Sequence, residues 1–191
     1  MHKNSLAPLL LAALLPVSAL AVPESYTIDP NHTYPHFAVA HLGGMSTMHG
    51  RFDETSGKIV MDRKAGTGSL EVTIKAASIT TGHQKRDDHL RSPDFFNVAE
   101  FPTVTFKGNQ LKFNGENLTQ VSGNLTLLGV SKPVTLTVDA FKCGPHPMSK
   151  KEMCGADARA QIKRSDFGMK YGIPGVGDEL KLTFEVEAYK D

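Results

Sequence analysis

What most constrains this chain is a two-residue alternation of apolar and polar side chains that returns along most of its length. Leu70, Val72, Ile74 and Ala76 alternate with Ser69, Glu71, Thr73 and Lys75. Val104 and Phe106 alternate with Thr103, Thr105 and Lys107, and Val134, Leu136, Val138 and Ala140 with Thr135, Thr137 and Asp139. Ala156, Ala158, Ala160 and Ile162 repeat the pattern, and Leu180, Leu182, Phe184, Val186 and Ala188 carry it most cleanly. Successive strand residues point to opposite faces, so each run reads as a strand with one apolar face. Turn signals at Asp53–Gly57, Ala65–Gly68, Asn114–Asn117, Gly129–Pro133 and Gly172–Gly177 separate the runs.

About eight such strands predict an antiparallel all-β fold that must hide its apolar face, either as a closed barrel or as a sandwich. A barrel of about eight strands has room for one small ligand. The three small residues Ala156, Ala158 and Ala160 would leave space on an inner face unless bulky neighbours fill it.

The stretch Tyr26–Gly57 holds four of the eight histidines. A strand is expected from about His32 to Leu42, broken by Gly43 and Gly44. Phe37, Val39 and His41 lie on one of its faces, and His36, Ala38, Ala40 and Leu42 on the other. Both faces are partly apolar, which suggests a strand covered on both sides, or one lining a greasy interior.

The first 21 residues read as a secretory signal peptide, with Lys3 as the positive end, Leu9–Leu15 as the apolar core and Ala19-Leu20-Ala21 as the cleavage site. Cleavage after Ala21 leaves an exported domain of residues 22–191. The apolar run is too short for a membrane span of roughly 20 residues. The remaining charges balance, and no basic cluster interleaves with aromatics, which argues against a nucleic-acid surface. In an oxidising compartment Cys143 and Cys154 are expected to form a disulfide across a hairpin loop.

One helix interrupts the strands, with Thr81 and Gln84 as a capping box and Pro93 as its stop. Leu90 is its one large apolar side chain. The segment reads as a solvated crossover or, with Phe95 and Phe96, as a lid over a barrel mouth. Between the last two strands, Phe167, Met169 and Tyr171 are presented by a glycine-rich loop, as a rim to a mouth.

No nucleophile elbow, phosphate loop, dinucleotide fingerprint or haem-attachment motif is present, so a non-enzymatic protein without a cofactor is expected. His41, Met45, Met48 and His49 have the soft-ligand character of exported copper handlers, and support an alternative as a metal or haem-linked accessory module.

Several separated segments then combine. They are YTID with H-T-x3-F-x-V-x-H-L-G at Tyr26–Gly43, M-x-G-R-F-x4-G at Met48–Gly57, and D-x-H-L-R-S-x-D-F-F at Asp87–Phe96. FPTVTF at Phe101–Phe106, GNLTLLGVSKPVTL at Gly123–Leu136 and RSDFGMKYGIPGVGDELKL at Arg164–Leu182 complete the set. Together they resemble the YceI-like family of exported, lipocalin-like polyisoprenoid-binding proteins. The resemblance implies an extended antiparallel eight-stranded barrel whose tunnel holds a polyisoprenoid or other long-chain lipid, without catalysis. Its shared positions fall on His32, Thr33, Phe37, Val39, His41, Asp94, Phe95 and Phe96. The expected ligand-contacting set is Phe37, Val39, His41, Leu42, Phe52, Leu90, Phe95, Phe96, Phe106, Phe167, Met169 and Tyr171. An exported carrier of this kind can also be a homodimer.

Overall fold

A computed structural model describes residues 22–191, and the expected signal peptide lies outside the described residues. The strands are β1 (Glu24–Ile28), β2 (Tyr34–His41), β3 (Ser46–Phe52), β4 (Thr55–Asp62), β5 (Thr67–Lys75) and β6 (Ile79–Thr80). After the helix α1 (Gln84–Arg91) come β7 (Thr103–Asn114), β8 (Asn117–Leu127), β9 (Val130–Pro145), β10 (Glu152–Lys163) and β11 (Val176–Lys190).

These segments make eight long strands rather than eleven. Strands β1 and β2 both pair antiparallel with β11, at Tyr26–Ile28 and Tyr34–His41 respectively. Likewise β4 pairs with β1 while β3 pairs with β2, and β5 pairs with β4 while β6 pairs with β3. Three of the long strands are therefore kinked, at residues 29–33, 53–54 and 76–78. The β1–β11 pairing closes the sheet into an antiparallel barrel, which pairs the edges that a flat sheet would leave except along Ser46–Gly50 of β3, whose partners are on β2 alone.

The first kink explains the His-Thr pair that opens the second strand. Thr33 is 2% exposed, and its hydroxyl both donates to the Glu187 carbonyl and accepts from the Glu187 N–H. Together with the Asp29 N–H, which donates to the same carbonyl, it ties the kink to β11. His32 Nδ1 lies 2.7 Å from Asp29 Oδ2, which fixes the turn from outside.

The barrel has two unlike halves. At the end carrying the termini, Tyr26, Ile28, Met61, Cys154 and Ala188 form one buried cluster, and Phe106, Leu118 and Val121 form another. At the other end sits a third cluster around Phe52, Ile74, Phe96, Val104, Leu127 and Phe167. Helix α1, the turn after it and the loop from Arg164 to Gly175 cover that end. The Cys143–Cys154 disulfide joins directly opposed residues of β9 and β10, beside the filled half.

Three local expectations are corrected. The β2 strand is apolar toward the interior only: Val39 is buried and Phe37 packs on the core, whereas Ala40 is exposed and His36 pairs with Glu185 outside. Leu42 does not continue the strand; it enters a 3-10 turn with φ 50°, and is 61% exposed. Helix α1 is capped by His83, whose Nδ1 accepts from the Arg86 N–H, while Thr81 bonds to Asp87 instead.

Candidate ligand-binding site

The unfilled half encloses a cavity of about 110 Å³. By size it could hold several waters, each needing roughly 10–15 Å³, but a water also needs polar partners. None is offered, because all the surface exposed to the cavity is apolar. Its wall is built from inward residues of several strands. Val39 and Phe52 come from β2 and β3, Ile74 and Val104 from β5 and β7, Leu125 and Leu127 from β8, and Ile162 from β10. Leu180, Leu182 and Phe184 come from β11. Leu90, Phe95, Phe96 and Met169 close the covered end.

Two polar residues stand in this wall with their polar atoms turned away. His36 points outward to Glu185, at 3.1 Å. Arg164 is 1% exposed, yet it makes no ion pair among the described residues. Its Nε donates to the Gly177 carbonyl, its Nη1 to Met169, and its Nη2 to Tyr171 and Val176. The planar guanidinium thus ties two carbonyls of the loop to two at the start of β11, a task that its fixed fork of donors suits. Burial pushes its pKa down, partly offset by Asp178. Asp178 is in turn held below the usual carboxylate range by the Ser165 N–H and hydroxyl. The result is a rigid rim that delivers Met169 to the cavity.

A second brace adjoins the first at Phe95 and Tyr171. His89 Nε2 lies 2.8 Å from Asp94 Oδ2, and the His89 ring packs edge-on against Phe95 and Tyr171. Arg91 ties the helix to the third kink by donating to the Ala77 and Ile79 carbonyls. Phe95 and Phe96 are buried between this brace and the strands, with Phe96 edge-on to Phe52 at 5.4 Å.

Of the residues expected to contact ligand, Phe37, Val39, Phe52, Leu90, Phe95, Phe96 and Met169 line the cavity. The other five do not. Phe106 fills the opposite half beside Leu118 and Val121, and Phe167 is buried behind the wall. His41 lies at the end of β2 against Ser46, Leu42 faces outward, and Tyr171 is half exposed over Phe95. Nor do Ala156, Ala158 and Ala160 border the space, since Val186, Phe184 and Leu182 stand opposite them. The sequence reading missed Arg164. Its signal was a lone arginine closing an alternating strand just before a glycine-rich loop.

The four residues of the metal alternative are divided by strand alternation. Met48 is opposite Val39 and shares its inward direction, His49 points the other way, and Met45 is 87% exposed at the turn. One ion cannot take all four.

Comparison with known proteins follows the same lines. A family model described as the YceI-like domain matches residues 26–188. A UPF0312 protein of Pseudomonas aeruginosa (strain LESB58) is 36% identical over 193 residues, covering 100% of both chains. A solved Campylobacter jejuni YCEI protein is 32% identical with TM-score 0.65, covering 77% of this chain and 87% of its own. A polyisoprenoid binding domain from Saccharophagus degradans has the same fold, with TM-score 0.65 at 20% identity, covering 88% of this chain and 99% of its own.

Proposed function

This chain belongs to the YceI-like family, and from that premise we propose that it is a periplasmic carrier for one long apolar chain, such as a polyisoprenoid, exported by cleavage after Ala21. The observation that carries this reading is the cavity whose exposed wall is wholly apolar. Such a wall gives no hydrogen bond to a polar ligand, whereas it gains about 0.8 kcal/mol for each CH2 group moved out of water. The polyisoprenoid binding domain that shares the fold supports the same class of ligand.

In this reading Phe37, Val39, Phe52, Leu90, Phe95, Phe96 and Met169 contact the chain. About 110 Å³ is less than the roughly 150 Å³ of a cavity that takes one benzene, so some of them must repack to admit the chain. The filled half sets how deep it can go. The Arg164 rim and the His89–Asp94 brace keep water out, and none of these groups is asked to break a bond. The role is binding and delivery rather than catalysis.

Organic extraction and mass spectrometry of the protein purified from its host compartment test the proposal. A co-purified prenyl or long-chain lipid at close to one per chain is the expected result. Absence of any such lipid, together with failure to bind added prenyl alcohols or fatty acids, would overturn it.

A further inference from the structure

Two neighbouring loops at the covered end expose side chains that water does not favour. The turn after β2 presents Leu42, 61% exposed, and Met45, 87% exposed. The loop before β11 presents Tyr171 and Ile173, at 50% and 38%. A hydrogen bond from the Gly43 N–H to the Gly175 carbonyl ties the two loops together. These four make up most of the seven large apolar side chains exposed among the described residues. The other three, Val22, Val60 and Met148, stand toward the filled half.

Local structure does not call for these side chains. None of the four lines the cavity. Leu42 sits at φ 50°, where asparagine or glycine is at home and leucine is strained. Charge sets the same surface apart. Residues 42–47 and 170–175 are all exposed, and the Lys170 ammonium is the only charged group among them. The acids of the adjoining helix end are already answered, Asp88 by Arg91 and Asp94 by His89. Tyr171 joins this tip to the cavity lid, edge-on to Phe95.

We infer that this tip docks on an anionic lipid bilayer. Leu42, Met45 and Ile173 enter the boundary between head groups and acyl chains, and Lys170 meets the lipid phosphates. Exposed apolar groups beside a lone cation, with no acid, suit such a surface, into which a few side chains settle shallowly. Size favours it over a protein partner or a second copy. A stable protein interface takes roughly 20–30 residues a side, and this tip offers two segments of six. The inference extends the chain-carrier reading, because it sets the cavity lid against the bilayer from which a chain would come.

Flotation of the mature protein with phosphatidylcholine vesicles, neutral or with about a third phosphatidylglycerol, reads docking. Geranylgeraniol affinity in solution reads the carrier role separately. Leu42→Asn/Met45→Gln keeps a residue suited to the positive φ, and Met148→Gln, beside the filled half, is the control. The double variant is expected to lower vesicle binding by at least about tenfold, with the control unchanged. Lys170→Glu should abolish the preference for vesicles with phosphatidylglycerol. All three variants should bind geranylgeraniol as the wild type does, since none of these positions lines the cavity. A wild type that floats with neither vesicle, or a double variant that floats as well as the wild type, would overturn the docking inference and leave the carrier reading standing. A wild type that floats but binds no geranylgeraniol would support docking and overturn the carrier reading. A dimer that the double variant splits, without vesicle binding, would assign the tip to a second copy and overturn the inference.

Discussion

A methyl group placed on Gly50 would stand 2.6 Å from Cε1 of Phe37 and 2.9 Å from Cγ2 of Thr81. The glycine is therefore what allows the phenyl ring to lie flat in the seam between β3 and the segment before the helix. Gly50→Ala must swing the ring aside. Overpacking of this kind costs typically 1–3 kcal/mol, reduced here because a ring edge can rotate, so about 1 kcal/mol is expected in urea unfolding. Gly123→Ala is the contrast: its methyl would meet backbone, with Gly108 Cα at 2.6 Å and the Lys107 carbonyl carbon at 2.7 Å. A ladder cannot rotate away, so Gly123→Ala should cost clearly more than Gly50→Ala.

Arg164→Met removes four donors from the carbonyls of Met169, Tyr171, Val176 and Gly177. Each buried carbonyl left unpaired costs about 1–3 kcal/mol, less whatever water recovers as the loop loosens. A loss on the order of 3 kcal/mol or more is expected. Arg164→Lys should recover little of it, since an ammonium cannot reproduce a planar fork. Denaturant midpoints of the two variants check this, and protease cleavage within residues 168–177 should rise with them.

Reduction of the Cys143–Cys154 bridge reopens a loop with sequence separation 11. Chain entropy sets the loss at a little under ~3 kcal/mol. The bridge belongs to the β9–β10 hairpin beside the filled half, away from the cavity wall. Binding of a prenyl alcohol should therefore be unchanged while thermal stability falls. A matching loss of affinity would place the bridge in the binding machinery.

The Asp29–His32 pair should leave a signature in pH. His32 is raised from its usual 6.5 by the hydrogen bond to Asp29, against desolvation and with help from the Asp29 and Glu187 charges. A raised pKa means a contribution that is complete below the unfolded value and lost as pH climbs through the folded one. Asp29 behaves oppositely. Burial works against its charged form, but His32 and the Asn31 N–H hold it below its usual 3.8. Its contribution is present above 3.8 and lost as pH falls through the lower folded value. The melting temperature of wild type minus His32→Gln should therefore peak between about 4 and 6.5 and shrink on either side. A flat difference would dissociate the pair from stability.

Much of the cavity wall was legible one strand at a time. Val39, Phe52 and Phe96 are apolar at inward parity or sit in an apolar turn, and all three line the cavity. Phe106 is as apolar as Val104 and shares its parity, yet one fills the barrel and the other borders the space. Nothing within β7 distinguishes them. The difference comes from partners far along the chain: Leu118 and Val121 crowd Phe106, while Val104 faces the helix end. Leu42 likewise continues the apolar pattern of the β2 region by sequence, but the turn after His41 rotates it into solvent.

The sequence by itself determined the all-β class, the order of strands and turns, the disulfide partners and the parity of most strands, though in β9 a bulge turns Ala140 outward and Phe141 inward, against the alternation read from Val138. Those properties depend on neighbours one to a few residues apart, where alternation and turn chemistry act. Only the tertiary structure decided that three strands are kinked, that half of the barrel is filled, and that Arg164 is buried among carbonyls. It also decided that the ring of Phe37 lies over Gly50 on the adjacent strand. Each of these depends on which side chains meet across the barrel, and packing volume is a property of the assembled interior rather than of any one segment.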